Sequence, residues 1–281
     1  KFIRVVGSSI RTTERIMPES KYTDVQDIKI HYLEWGNPKS PDLIMVHGWT
    51  NLSQSWADIA TALENDYHII APDNRGHGKS DKPGTGYRLQ DFVKDTKLLI
   101  ETLDLKRPTY IGHSWGSNIG TMLAAKHPEI ISNAFLEDPV YWKFISSFVT
   151  SLPIGLARLK KPESQIRSEA KSKGLTEEET VSEIFRHHHF SGNALTHLLQ
   201  DNRNWALDCE NYLRRISIPT LVLVGNNELG GAIIPEEMNY FSHITSDSVN
   251  FKRWEDVGHG IHVAQPERFI DELRDFITKS S

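Results

Sequence analysis

The sequence predicts an α/β fold, a mostly parallel, doubly wound sheet with helices on both faces. Three observations carry this. Short apolar runs alternate with segments of helical spacing. The runs are continuously apolar, as strands buried on both faces are. One long helical stretch interrupts the alternation, an insertion into an otherwise regular series of strand–helix units.

The elements follow in order. "IKIHYLEW" (28–35) and "PDLIMVHG" (41–48) are predicted strands, and "SQSWADIATAL" (53–63) has helical spacing. "YHIIAPD" (67–73) is a strand and "RLQDFVKDTKLLIETL" (88–103) an amphipathic helix. "PTYIGHS" (108–114) is a strand, "WGSNIGTMLAAKH" (115–127) a helix and "IISNAFLED" (130–138) a strand. Residues 139–217, rich in helix formers and charge, form the predicted insertion. "PTLVLVG" (219–225) and "SVNFKRWED" (248–256) are strands, each followed by a helix, "PEEMNYFSHI" (235–244) and "QPERFIDELRDFI" (265–277). The chain divides into a core, 1–138 with 218–281, and an inserted segment, 139–217. Its 281 residues suffice for one α/β domain plus such an insertion.

Composition narrows the function. Thirty-two basic against 37 acidic residues give a net charge of −5. There is no basic footprint for nucleic acid and no cationic face for a membrane. No run approaches the ~20 apolar residues of a membrane span, and the N-terminal stretch lacks the apolar core of a signal peptide. The single cysteine, Cys209, cannot form an internal disulfide, which favours a reducing, cytoplasmic setting. It reads as a buried apolar residue. The three histidines of "RHHHF" (186–190) point in different directions and read as surface residues rather than metal ligands.

"GHSWG" (112–116) carries the chemistry. The motif follows a predicted strand and opens a predicted helix, as a nucleophile elbow requires. Glycines flank Ser114 because strand and helix must approach closely there. A serine hydroxyl needs a base, and the base needs an orienting acid. His259, in the loop before the last helix, is the candidate base; His262 reads as structural.

Taken in order, "HGWT" (47–50), "DNRGHGKSDKP" (73–83), "GHSWG", "FLEDP" (135–139), "LVLVG" (221–225) and "GHGIHVAQPERF" (258–269) make residues 22–279 resemble the α/β-hydrolase superfamily. The resemblance is to the subset with a helical cap inserted after the sixth strand. It implies a Ser–acid–His order and an oxyanion hole built from the backbone N–H groups of Trp49 and Trp115. It makes Asp73, Arg75 and His77 structural.

The acid stays open among three carboxylates. Asp138 ends the strand after the elbow helix and is favoured. Glu228 lies where the commoner family layout puts the acid, but in Gly225-Asn226-Asn227-Glu228 rather than a Gly-x-x-Asp pattern. Glu137 is disfavoured because strand alternation points it to the other face.

Tyr141, Trp142 and Phe144, with Phe148 and Trp205, form an aromatic group where the pocket should open, which suggests an apolar acyl or leaving group. The expected activity is cofactor-free, metal-free hydrolysis of small apolar esters or lactones through an acyl-enzyme. "SWGS" (114–117) also resembles prolyl iminopeptidases, which would need a cap carboxylate, with Glu178, Glu179 or Glu183 available. A receptor that keeps the triad is a third reading. Epoxide hydrolases and haloalkane dehalogenases resemble the chain but use an aspartate nucleophile, which Ser114 argues against. The sequence leaves a homodimer open.

Overall fold

The structure, a computed structural model, describes residues 18–142 and 154–280. Eight strands form one sheet in the order β1-β2-β4-β3-β5-β6-β7-β8. They are β1 (Glu19–Val25), β2 (Ile28–Trp35), β3 (Asp42–Val46), β4 (His68–Pro72), β5 (Thr109–His113), β6 (Asn133–Glu137), β7 (Thr220–Val224) and β8 (Val249–Arg253). The first two pairings, β1 with β2 and β2 with β4, are antiparallel; all others are parallel. Every residue of β4, β5, β6 and β7 is buried, which explains their unbroken apolar runs.

Helices cover both faces. α2 (Leu89–Thr102) and α3 (Trp115–Lys126) pack on one face, where Phe92, Leu99, Ile119 and Leu123 join Val46, Tyr110 and Leu136 of the sheet. α1 (Ala57–Leu63) and the last helix (Pro266–Lys279) cover the other, through Ile59, Leu63, Phe269 and Leu273. Each fully buried side chain of this kind contributes on the order of 1.5–3 kcal/mol.

Between β6 and β7 lie a helical turn at 154–159 and four helices, Glu163–Ser172, Glu177–His188, Gly192–Asp201 and Trp205–Leu213. Buried polar contacts tie this segment to the sheet layer. Asn202 accepts from the Leu89 N–H at 2.7 Å and donates to the Tyr87 carbonyl at 2.8 Å. The Trp205 indole donates to the carbonyl of Val140 in the same segment at 3.0 Å, and Val140 is held in turn by Asn118 of α3.

Three local details differ from expectation. β1 is absent from the sequence reading, because a half-exposed edge strand of composition "ESKYTDV" carries no apolar run. The helix expected over 53–63 begins as a 3-10 turn, Ser53–Trp56. A separate short helix, Ile261–Ala264, precedes the last one. Among the described residues no helix is long and apolar enough to cross a membrane.

Candidate active site

β5 ends at His113 and α3 starts at Trp115, so Ser114 alone makes the turn. Its backbone sits at φ 54°, ψ −113°, a conformation costing a non-glycine residue on the order of 1–3 kcal/mol. Neighbours hold it there. The Ser114 N–H donates to the Glu137 carbonyl at 2.9 Å, and the Ser114 carbonyl accepts from the Asn118 N–H at 3.1 Å. The Ser117 hydroxyl lies 2.6 Å from the Gly112 carbonyl oxygen and 2.8 Å from that of Glu137.

Close approach explains two glycines. A Cβ on Gly116 would stand 2.1 Å from the Val46 carbonyl oxygen, inside backbone contact distance. A Cβ on Gly48 would stand 2.9 Å from the Ser114 Cβ. The "HGWT" loop therefore runs directly against Ser114. His47 fixes that loop: its Nε2 accepts from the Asn74 N–H at 3.0 Å, which leaves Nδ1–H to donate to the Gly48 carbonyl at 2.7 Å. The Trp49 ring stands edge-on to Trp115 and His77, with centroids 6.3 and 5.4 Å away.

β6 places the acid. Asp138 follows its last residue at φ 42°, and its side chain is fully buried. Its Oδ1 accepts from the Gly225 N–H at 3.0 Å; its Oδ2 accepts from the Ala232 N–H at 2.8 Å and from His259 Nδ1 at 2.6 Å. The His259 side chain is 38% exposed, and its Nδ1 rests on that buried carboxylate. Glu228 sits in a 3-10 turn, Asn227–Leu229, and is exposed. The structure thus pairs His259 with Asp138, while Glu228 stays at the surface.

Glu137 faces the other way and clamps the same loop. Its two carboxylate oxygens accept from the His262 N–H at 2.9 Å and from His262 Nδ1 at 2.7 Å. His262 stacks on Trp56, with centroids 4.3 Å apart. His113 Nε2–H donates to the His259 carbonyl at 3.0 Å. The loop is thereby fixed at His259 itself and three residues beyond it. Sequence reasoning found both His262 and Glu137 but not their pairing, since nothing local links positions 125 residues apart.

Burial sets the charge states around this cluster. It pushes the His113 imidazole down to about 3, against the pull of Glu137. It also pushes His77 down to about 3, with His47 adding to the effect. Burial resists ionisation of Glu137 too, but His262 and His113 outweigh it and hold the carboxyl below its ordinary value. All three signs agree. Unfolded, each histidine takes up a proton near pH 6.5; folded, it does so only near 3. Their contribution is fully present above about pH 6.5 and is lost as pH falls toward 3. Glu137 adds a loss in the carboxylate range below that. The unfolding free energy, read from urea titrations, is expected to fall on acidification from about pH 7 to about pH 5, by at most on the order of 1 kcal/mol per pH unit for each histidine. His113→Gln flattens the profile; an unchanged slope in that variant contradicts the assignment.

The remaining sequence candidates sort as follows. Asp73 binds His31 and Arg75 binds Asp95, the latter through two contacts of 2.5 and 2.6 Å. Cys209 is buried, and burial raises its thiol to about 12, so it stays protonated. A cavity of about 110 Å³ opens above the "HGWT" loop, lined by Thr50, Leu159, Phe190, Leu195 and the polar trio Arg158, Glu183 and His187.

Tyr141 and Trp142, expected at the pocket, are not among the residues that line this cavity. Tyr141 is fully buried, its hydroxyl 2.9 Å from that of Thr121 and its ring against Phe241. Trp142 packs on Tyr240 and Phe241 instead of lining the cavity. Both turn away because α3 and the helix Pro235–Ile244 offer them an apolar seat. Phe144 and Phe148 lie outside the described residues. His187, expected at the surface, faces the cavity and accepts from Arg158 Nε at 2.9 Å.

The comparisons with known proteins agree with this architecture. The family model described as alpha/beta hydrolase fold matches residues 41–266. A non-heme chloroperoxidase of Streptomyces lividans is 34% identical over 113 residues, 40% of this chain and 41% of that protein. A 2-(acetamidomethylene)succinate hydrolase of Mesorhizobium japonicum is 34% identical over 119 residues, 42% of each chain. These matches span about two fifths of the relatives' own length. Among solved structures, E-2-(acetamidomethylene)succinate hydrolase superposes with a TM-score of 0.75 at 22% identity, covering 93% of this chain and 99% of that one. With 226 consecutive residues matched by the family model (266 − 41 + 1), the chain belongs to the alpha/beta hydrolase fold family.

Proposed function

We propose that this protein is a serine hydrolase acting on small apolar carboxylic esters or lactones, with Ser114 as nucleophile, His259 as base and Asp138 as acid. The Asp138–His259 pair carries the reading. Its 2.6 Å bond fixes the imidazole with Nδ1–H on the carboxylate. Nε2 is then the ring nitrogen able to take a proton. Ser114 attacks the acyl carbon, its proton passes to His259, and His259 returns a proton to the departing alkoxide. Water then repeats the sequence on the acyl-enzyme. The backbone N–H groups of Trp49 and Trp115 receive the oxyanion, each contributing about 10²–10³ in rate. Ser114's place at the start of α3 and Gly48's contact with it support that role.

In the same reading, residues 139–217 act as a cap over a core of 1–138 and 218–281. The cavity beneath it, walled by Leu159, Phe190 and Leu195, takes the apolar part of the substrate. No step calls on a metal or organic cofactor. The single buried thiol fits a reducing, cytoplasmic setting.

One observation favours an aminopeptidase reading: Glu183 lines the cavity, where a carboxylate could hold a substrate amine. Against it, Glu183 already lies 3.3 Å from Arg158. A panel of p-nitrophenyl esters, lactones and proline arylamides separates the two. Ester or lactone turnover with inert arylamides is the expected result; arylamides as the best substrates would overturn it.

A further inference from the structure

Away from Ser114, a serine, a histidine and an aspartate meet in line. On the opposite part of the sheet, Ser20 Oγ lies 2.8 Å from His31 Nε2, and His31 Nδ1 lies 2.8 Å from Asp73 Oδ2. The pairing register explains the contact. Tyr22 of β1 stands opposite His31 of β2, so Ser20, two residues before Tyr22, shares that face.

The carboxylate has the same surroundings as Asp138. Asp73 accepts two backbone N–H groups besides the histidine, Ser53 at 2.8 Å and Lys79 at 3.0 Å. Asp138 accepts Gly225, Ala232 and His259. Asp73 and His31 are both buried. Burial resists ionisation of Asp73, yet His31, His47 and the two N–H groups outweigh it and hold the carboxyl well below its ordinary value. An ionised Asp73 keeps the His31 proton on Nδ1, leaving Nε2 to accept from the Ser20 hydroxyl.

The nucleophile's setting differs. Ser20 is exposed and lies on β1, the edge strand of the sheet. Its neighbour Tyr22 is 51% exposed, and the Tyr22 ring sits 5.1 Å from that of His31. An aromatic surface therefore borders the hydroxyl. Ser20 begins no helix, so it lacks the helix-end N–H donors that Ser114 has.

We propose that Ser20, His31 and Asp73 form a second relay that makes Ser20 an acylation site for activated aryl esters. Ser20 Oγ bonds to the acyl carbon, and the bond from that carbon to the aryloxy oxygen breaks. The Ser20 proton passes to His31 Nε2 and then to the departing aryloxide. The serine ester formed is far less activated than the aryl ester, and without helix-end oxyanion donors its hydrolysis is slow, so the site is labelled once per chain and does not turn over.

The test uses Ser114→Ala protein, which makes it independent of the role given to Ser114. The protein is incubated with p-nitrophenyl acetate near neutral pH, digested, and mapped by mass spectrometry. One acetyl group per chain is expected on the peptide carrying Ser20. Adding Ser20→Ala removes it. Adding His31→Gln slows it by about 10²-fold, the scale of general-base catalysis. Acetyl groups spread over lysines, or a Ser20 rate unaffected by His31→Gln, overturn the proposal. Should His31→Gln fail to fold, the pH profile decides on the Ser114→Ala protein itself. A labelling rate that rises with one ionisation and then levels supports the relay. A rate that keeps climbing in proportion to hydroxide overturns it.

Discussion

Ser114→Ala is expected to lower kcat/KM for p-nitrophenyl acyl esters by about 10⁴-fold or more while leaving the thermal midpoint within a few degrees. The size follows from losing the covalent route altogether. What remains is water acting in a site that still offers its oxyanion donors, and such remnants give only a small part of the whole. The fold should survive because the Ser114 side chain is not what holds the elbow. Its backbone N–H bonds to Glu137, its carbonyl accepts from Asn118, and Ser117 spans the turn. Slow, single acetylation at Ser20 in this variant would not count as turnover. Full steady-state activity in the alanine variant removes Ser114 from the mechanism.

The second large effect separates two carboxylates. Asp138→Asn is expected to lower kcat by about 10³–10⁴-fold, because an amide can present its NH₂ to His259 and select the wrong tautomer. It also gives up the charge that stabilises the imidazolium. Glu228→Gln is expected to leave kcat within about two-fold, since Glu228 is exposed and surface substitutions away from structural features act weakly. Steady-state kinetics on the two variants reads the difference. The reverse ranking transfers the acid to Glu228.

Much of this was legible in the chain. The parallel strands announce themselves because burial on both faces demands continuous apolar runs, and "YHIIAPD", "PTYIGHS" and "PTLVLVG" have them. The elbow is legible because its sterics demand glycine at fixed offsets from Ser114. The carboxylate partner of His259 was less legible. Three carboxylates stood near strand ends, and the choice depends on a single left-handed residue, Asp138, that turns its side chain toward the β7 and His259 loops. Strand alternation did carry one inference correctly: Glu137 points to the other side, where it meets His262.

The cavity was the part sequence reasoning missed. Tyr141 and Trp142 lie next to Asp138 in the chain, but apolar seats on the α3 side of the sheet draw them away. The residues that do line the cavity come from Thr50 and from helical segments more than a hundred positions later. His187 is the instructive case. It stands in a run of three histidines, and only the packing of its helix selects which of the three turns inward. No periodicity signals that choice. Ser20 was invisible for a related reason, since β1 has no apolar pattern and its pairing with His31 depends on register alone.

The central claim is that hydrolysis passes through an ester on Ser114. Rapid mixing of the wild-type protein with p-nitrophenyl butyrate, quenched in acid and analysed by intact mass and peptide mapping, tests it most directly. The account predicts a burst of one p-nitrophenol per chain and a butyryl group on the peptide carrying Ser114, which disappears at the rate of steady-state turnover. Turnover with no burst and no adduct on that peptide would contradict it.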